Sequence, residues 1–120
     1  MNLAIIPARS GSKRIKNKNT KLFFKKPVIS YSILAAINSK LFNHVIVSTD
    51  SKKIAKISKK MGASVYFLRP KNISNDNSTT QEVIDHSISW FKKKNIKFKY
   101  VCCIYPVAPL LTSYYLKKSF

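Results

Sequence analysis

Short apolar runs alternate along this sequence with segments whose apolar residues recur at helical spacing, and this alternation constrains the fold more than any other feature. Runs of this length predict strands buried in a sheet, and they cover 3–7, 44–48, 64–68 and 100–105. Helical spacing predicts helices over 27–39, from 51 to about 61, over 79–94, and beginning again at 112–118. Strands that alternate with helices predict an α/β fold, in which a parallel sheet carries helices on both faces.

Local signals place the ends of these helices. Pro27 suits the first residue of a helix, and Gly62 suits the position just past the end of the second helix. Asp50 ends a strand, where a carboxylate could meet magnesium or a ribose, but we favour it as the N-cap of the helix that follows. We interpret Trp90 and Phe91, at helical spacing with other apolar residues, as core packing.

Positive charge dominates the composition, since 23 Lys and Arg residues stand against 4 Asp and Glu residues, a formal net charge of +19. Such a charge attracts polyanions, including nucleic acid, anionic membranes and nucleotide phosphates. The lysines are spread along the chain together with many Asn and Ile residues. We therefore attribute most of the charge to a diffuse compositional bias, with polyanion binding as the alternative.

The length and the cysteine content limit the kinds of protein that this chain can be. The 120 residues suit one domain or part of one, and no apolar run approaches the ~20 residues that cross a bilayer. The N-terminus lacks the basic leader of a signal peptide, so we expect a cytoplasmic protein with no membrane partner.

Cys102 and Cys103 are adjacent, which would strain a disulfide between them, and their spacing fits no zinc site. We expect two reduced thiols.

A basic segment leaves the carboxyl end of the first predicted strand, where ligands of parallel α/β sheets bind. Gly11 permits close approach of the backbone, and the serines at 10 and 12 can donate hydrogen bonds. Arg9, Lys13 and Lys18 can neutralise phosphate charge. The segment 8–26 is predicted to be a loop that binds a triphosphate, and the alternative is a solvated basic loop.

The residues of this loop closely resemble the signature of the cytidylyltransferases that activate nonulosonic acids (sialic, legionaminic and pseudaminic acids). Four further blocks of the family follow in the same order, so the resemblance spans nearly the whole chain. The matching blocks are Ile5-Ile6-Pro7-Ala8-Arg9-Ser10-Gly11-Ser12-Lys13-Arg14-Ile15 with Lys18-Asn19, Val47-Ser48-Thr49-Asp50, Leu68-Arg69-Pro70, Asp76 with Thr79-Thr80, and Tyr105-Pro106-Val107-Ala108-Pro109-Leu110. The segment Cys102-Cys103-Ile104-Tyr105-Pro106 is most similar to the pseudaminic acid branch.

The resemblance implies a Rossmann-like nucleotide-diphospho-sugar transferase fold, of which 1–120 would be the N-terminal, nucleotide-binding part of a single domain. It also implies site residues. Arg9 and Lys18 would hold the triphosphate of CTP as the catalytic cations, helped by Ser12, Lys13 and Asn19. Arg69 would lie near the cytosine and ribose, with a surface arginine at a strand end as the alternative. Thr80 would line the nucleotide pocket or cap a helix, and Tyr105 would shape the sugar pocket.

The implied reaction transfers CMP from CTP to the anomeric hydroxyl of an acidic nine-carbon sugar and releases pyrophosphate. Members of the family use Mg²⁺ and form homodimers, and the resemblance places the metal ligands and the dimer segment mainly beyond residue 120. We therefore expect no metal site within these residues and a chain that is cut short. Two alternatives remain: a non-catalytic remnant that at most binds CTP, and a small basic nucleic-acid-binding protein. The second ranks last because no nucleic-acid-binding motif is present.

Overall fold

The computed structural model describes residues 1–9, 22–23, 26–74 and 79–105. Its elements in chain order are β1 (Asn2–Pro7), β2 (Leu22–Phe23), β3 (Lys26–Pro27), α1 (Val28–Ser39), β4 (His44–Ser48), α2 (Lys52–Lys60), a 3₁₀ turn (Lys71–Ile73), α3 (Thr80–Lys92) and β5 (Tyr100–Cys103). The predicted α/β class is confirmed, because strands and helices alternate as the apolar pattern indicated.

The main sheet has β1 between β4 and β5, and both neighbours run parallel to it. Ile5 is the pairing partner of Ile46 on one side and of Cys103 on the other. All four residues from Leu3 to Ile6 are fully buried. An uninterrupted apolar run is typical of a parallel strand that is covered on both faces, and β1 has that environment.

Helices cover the two faces of this sheet. Side chains alternate along a strand, so Ala4 and Ile6 of β1 point to one face and Leu3 and Ile5 to the other. The first face packs against α1 and α2, and the second packs against Phe91 of α3. The predicted arrangement of helices on both faces is therefore confirmed.

The predicted strand over 64–68 is wrong in detail. This segment lies beside β4 but forms only two isolated parallel bridges, Ile46 with Ser64 and Thr49 with Leu68. Between these two bridges the chain advances four residues in the segment 64–68 but only three in β4. The segment therefore has one extra residue, which interrupts the ladder as in a β-bulge. The segment still extends the order of the sheet beyond β4.

Two other boundaries differ from the prediction. The segment 8–26, predicted to be a loop throughout, contains β2 and the first residue of β3, two short strands that pair antiparallel with Leu22 opposite Pro27. Pro27 therefore ends β3, and α1 begins one residue later. The strand predicted over 100–105 ends at Cys103, although the Ile104 N–H still donates to the Ile5 carbonyl over 2.9 Å.

The ends of α2 show one wrong cap and one confirmed cap. Ser51, not Asp50, is the N-cap, since its hydroxyl accepts the Ile54 N–H over 3.2 Å. At the other end Gly62 has φ +106°, and the N–H groups of Gly62 and Ala63 donate to the carbonyls of Lys59 and Ser58. This is the Schellman pattern, which glycine permits because it has no Cβ.

Helix α3 begins with a capping box and ends near its predicted boundary. The Thr79 hydroxyl accepts the Glu82 N–H, and the Glu82 carboxylate accepts the Thr79 N–H. Phe91 is fully buried, and Trp90 stacks on Tyr66 with ring centroids 4.9 Å apart, so core packing is confirmed for both. Ile88 is only half-buried.

The remaining predictions concern the thiols, the membrane and the last segment. Cys102 and Cys103 are free and half-buried, and burial raises the pKa of both thiols. Within the described ranges no helix is both long and apolar enough to span a bilayer. The helix predicted over 112–118 lies outside the described residues.

Candidate functional site

Polar and charged residues collect at the carboxyl ends of the parallel strands. Arg9 follows β1, Asp50 follows β4, and Tyr105 follows β5. Arg69 directly follows Leu68, which is bridged to Thr49 at the end of β4. Because neighbouring parallel strands end at the same edge of a sheet, the fold brings these four residues from distant parts of the sequence to one edge.

Arg69 is buried at this edge, with only 5% of its surface exposed. Its Nη2 donates to the Ser48 carbonyl over 2.8 Å, and its Nη1 donates to the Ile73 carbonyl over 3.2 Å. The Arg69 N–H donates to the Thr49 carbonyl over 2.7 Å. The alternative of a surface arginine that merely ends a strand is therefore wrong.

Charge on neighbouring residues acts on the Arg69 guanidinium. Burial lowers its pKa from the ordinary value, the negative charge of Asp50 opposes that change, and the positive charge of Arg9 adds to it. Arginine nevertheless stays protonated in proteins. The edge therefore holds two cationic side chains and one carboxylate near one another, an arrangement that favours an anionic ligand over a neutral one.

Tyr105 is held from both faces of the sheet while its side chain stays 58% exposed. The Ser32 hydroxyl of α1 donates to the Tyr105 carbonyl over 2.8 Å. The Thr80 hydroxyl of α3 lies 3.3 Å from the Tyr105 hydroxyl. Since Thr79 is the N-cap of α3, the capping alternative for Thr80 is wrong, and its side chain faces Tyr105 instead.

Three buried polar atoms have no hydrogen-bond partner among the described residues: Ser48 Oγ, Arg69 Nε and His86 Nδ1. The ring of His86 lies edge-on to that of Phe67, with centroids 4.8 Å apart. Burial lowers the pKa of His86, and the charges of Arg69 and Lys93 lower it further. Unpaired polar atoms of this kind are typical of sites that bind water or a ligand.

Metal binding finds no support in this part of the chain. No group of three or more His, Cys, Asp or Glu side chains is close enough to hold an ion within the described residues. Magnesium prefers oxygen ligands, usually carboxylates together with phosphate oxygens. The described side chains thus do not by themselves fit the Mg²⁺ that the resemblance implies.

Several predicted site residues lie outside the part of the chain that the structure describes. They are Ser12, Lys13, Lys18 and Asn19 of the basic segment, together with Asp76 and the residues from Pro106 to Leu110. Of the predicted site residues that are described, Arg9 lies near enough to Arg69 for its charge to lower the pKa of Arg69, and the Thr80 hydroxyl lies 3.3 Å from the Tyr105 hydroxyl.

Sequence reasoning assigned no role to three residues at this edge of the sheet. Ser48 supplies a carbonyl that binds Arg69, Ser32 anchors Tyr105, and His86 lies within the field of Arg69. A usable signal existed for Ser32 alone, since a serine on the apolar stripe of a helix needs a partner. The roles of Ser48 and His86 depend on contacts between segments far apart in the sequence.

Comparison with known proteins agrees with the geometry. Residues 3–120 match the family model described as cytidylyltransferase. The chain is 44% identical to a pseudaminic acid cytidylyltransferase of Campylobacter jejuni, over 99% of this chain and 51% of that protein. It is 43% identical to a Helicobacter pylori protein named pseudaminic acid cytidylyltransferase and UDP-2,4-diacetamido-2,4,6-trideoxy-beta-L-altropyranose hydrolase, over 98% of this chain and 22% of that protein.

A solved structure shows the same fold. The CMP:2-keto-3-deoxy-manno-octonic acid synthetase complexed with CTP superposes with a TM-score of 0.78 at 17% identity, over 98% of this chain and 44% of that one. The predicted likeness to the pseudaminic acid branch is confirmed by the two relatives above. The chain spans about half the length of the Campylobacter relative, or less for the other proteins. On the family match over residues 3–120, this chain belongs to the cytidylyltransferase family.

Proposed function

We propose that this chain is the nucleotide-binding part of a cytoplasmic enzyme that transfers CMP from CTP to a nonulosonic acid, with pseudaminic acid as the favoured sugar. One observation carries the proposal: in a chain of this family, Arg9, Asp50, Arg69 and Tyr105 all lie along the carboxyl edge of a parallel sheet, and the charges of Arg9 and Asp50 act on Arg69. Nucleotides bind at that edge in folds of this class. The names of the relatives favour pseudaminic acid as the sugar.

The proposed reaction is a displacement at phosphorus. The anomeric hydroxyl oxygen of the sugar forms a bond to the α-phosphorus of CTP, the bond from that phosphorus to the β-phosphate oxygen breaks, and the hydroxyl proton is released. Pyrophosphate leaves with the electron pair. Positioning and neutralisation of charge supply most of the catalysis in phosphoryl transfer.

Most of the predicted site residues have a proposed role in this reaction. Arg9 and Lys18 bind the triphosphate and offset the charge that develops on pyrophosphate, because forked guanidinium and ammonium donors suit phosphate oxygens. Ser12, Lys13 and Asn19 complete that cradle. Tyr105 and Thr80, whose hydroxyls lie 3.3 Å apart, face the position of the nucleoside and sugar.

Isothermal titration calorimetry with the 120-residue chain and CTP tests the proposal. We expect CTP to bind, and we expect Arg9→Ala to weaken binding about tenfold or more, as the loss of charge-assisted hydrogen bonds does. Lys99→Ala is the matched control. It removes one positive charge next to the amino end of β5, where the Lys99 N–H donates to the Met1 carbonyl, and it should leave the affinity within about twofold.

Inorganic tripolyphosphate and ATP separate a nucleotide site from a general attraction of charge. CTP should bind more tightly than either ligand, because the base contributes contacts that phosphate alone does not make. Equal affinity for all three ligands, or equal losses in Arg9→Ala and Lys99→Ala, would refute the proposal and favour the compositional origin of the charge.

The non-catalytic alternative has its own outcome. Incubation with CTP, Mg²⁺ and pseudaminic acid, followed by assay of pyrophosphate, measures turnover separately from binding. If the chain binds CTP specifically but releases no pyrophosphate, it contains the nucleotide site and the non-catalytic alternative is correct.

A further inference from the structure

The segment 64–68 lies at the outer edge of the described sheet, and most of its backbone is unpaired. Ser64 uses both of its backbone groups on β4, since its N–H donates to the Val45 carbonyl and its carbonyl accepts the Val47 N–H. The backbone N–H and C=O groups of the next four residues, 65–68, make no hydrogen bond within the described part of the chain. An edge in this state can pair with a further strand.

A groove of about 390 Å³ separates this edge from α2. Residues 65–68 form one wall, in which Tyr66 and Leu68 are 43% and 44% exposed. The other wall is the side of α2 that carries Ala55 and three lysines, namely Lys52, Lys56 and Lys59. This space is here called the lysine groove.

The helix wall of the lysine groove is positively charged. Lys52, Lys56 and Lys59 are exposed and stand three or four positions apart, so they share one side of the helix. None of the residues that line the groove is acidic. Because like charges at this spacing destabilise a helix, an anionic occupant would relieve repulsion that is present in the free chain.

An acidic peptide in the extended conformation matches both walls. A strand added to an open edge pairs through its backbone, and its alternate side chains point to the same side. Carboxylates on that side would face the lysines of α2. A second copy of this chain matches poorly, because it has the same net charge of +19 and would bring its own lysines against these.

We propose that the lysine groove binds an extended acidic segment of another protein, which pairs as an added strand with the backbone of residues 65–68 and places carboxylates on Lys56 and Lys59. The groove contains none of the residues proposed to bind CTP, so the proposal does not depend on the nucleotide site. Charged side chains beside a sheet edge can instead prevent pairing, and that role is the competing explanation.

Fluorescence anisotropy on the 120-residue chain, with a labelled eight-residue peptide that alternates glutamate and valine, tests the proposal. Lys56→Ala combined with Lys59→Ala should weaken binding about tenfold, because two charge-assisted contacts are lost. Lys53→Ala combined with Lys60→Ala is the matched control. It removes two exposed lysines of the same helix that do not line the groove, and the affinity should stay within about twofold.

Alanine favours a helix at all four positions, so both double variants should stay folded. Equal losses in the two variants would assign binding to net charge alone and overturn the proposal. Absence of binding to the wild-type chain would also overturn it, and the lysines would then serve to keep other strands from the edge.

Amide hydrogen exchange shows where the peptide binds. Successive residues of a strand direct their backbone groups to opposite sides, so Val65 directs its own away from β4. With peptide at about ten times its dissociation constant, the Val65 amide should exchange about tenfold more slowly. The Asn43 amide, which donates to the Asn2 carbonyl over 2.9 Å before β4, is the internal control and should not change. An unchanged rate at Val65 overturns the proposal.

Two further ligands separate strand pairing from attraction of charge. The same peptide with methylated backbone nitrogens keeps its carboxylates but has no N–H donors, and it should bind at least about tenfold more weakly. A single-stranded uridine pentanucleotide supplies phosphate charge without a peptide backbone and should also bind more weakly. If either ligand equals the unmodified peptide in affinity, the groove is a general surface for polyanions and the proposal is wrong.

Discussion

The two faces of the sheet are packed in different ways. One face, here called the aliphatic face, joins Ala4 and Ile6 of β1 to α1 and α2 through small and branched side chains such as Ile33 and Ala36. The other, the aromatic face, joins Leu3 and Ile5 to α3 through Phe91. Around Phe91 lie the rings of His44, Tyr66, Trp90 and Phe98, with centroids 4.9 to 5.8 Å from its own.

This difference in packing explains how Tyr105 is held by hydrogen bonds from both faces of the sheet. On the aliphatic face, small residues let α1 lie close to the sheet, so the Ser32 hydroxyl reaches the Tyr105 carbonyl. On the aromatic face, α3 is anchored chiefly by Phe91 near its end, while Thr80 at its start reaches the Tyr105 hydroxyl. One face depends on many close contacts, and the other depends on a few large side chains.

The largest expected effect comes from removing the central ring of the aromatic face. Phe91→Ala should lower the free energy of unfolding by about 3–5 kcal/mol, because it leaves a cavity among rings that cannot all move to fill it. Urea unfolding followed by Trp90 fluorescence measures the loss. A loss close to that of Ile33→Val on the aliphatic face, about 1 kcal/mol, would contradict the comparison.

An intermediate effect is expected from enlarging a small residue of the aliphatic face. Ala36 is 1% exposed in α1, and Ala36→Leu should cost about 1–3 kcal/mol because close packing leaves no room for the added carbons. Asn38→Leu is the matched control on the exposed side of the same helix and should stay within about 0.5 kcal/mol of the wild type. Urea unfolding of both variants decides the matter, and equal stability would show that α1 is not tightly packed.

The smallest effect is a dependence of stability on pH that arises beside the aromatic face. The pKa of His86 in the folded chain is lowered below 6.5, first by burial and then by Arg69 and Lys93. Below about pH 6.5 the unfolded chain therefore binds the proton and the folded chain does not, so the free energy of unfolding falls as the pH falls. Above that pH this contribution to stability is fully present.

His86→Gln removes this contribution because glutamine does not titrate. Thermal unfolding of both chains between pH 7.5 and pH 5.5 should show a shallower decline for the variant. Parallel declines would assign the pH dependence to other groups.

Parts of the fold could be predicted because they depend on local physics. The end of α2 was predicted from Gly62. The capping box of α3 was not predicted, although its signal, a threonine three positions before a glutamate, is local. Ser51 in place of Asp50 as the N-cap shows the limit of such signals. Two neighbouring residues both suit the position, and the residue type alone does not tell which one takes it.

Other parts depend on how distant segments meet. The segment 64–68 has the composition of a strand, but its pairing fails at one extra residue relative to β4, and only the register of the two segments reveals that mismatch. The burial of Arg69 likewise depends on the Ser48 carbonyl, 21 positions away, which accepts from its Nη2. The position of a residue at the end of a predicted strand indicates at which edge of the sheet it lies. It does not indicate which groups its side chain binds.

The sequence by itself determined the α/β class and the buried run of β1, because apolar period and turn chemistry act over a few residues. It also predicted the edge of the sheet at which the candidate site lies. It also carried the family signature, which the comparison confirmed over residues 3–120. Only the tertiary structure decided that Thr80 faces Tyr105 and that Arg69 binds backbone carbonyls. Thr80 and Tyr105 lie 25 positions apart, and Arg69 and Ser48 lie 21 positions apart, so neither contact follows from the local sequence.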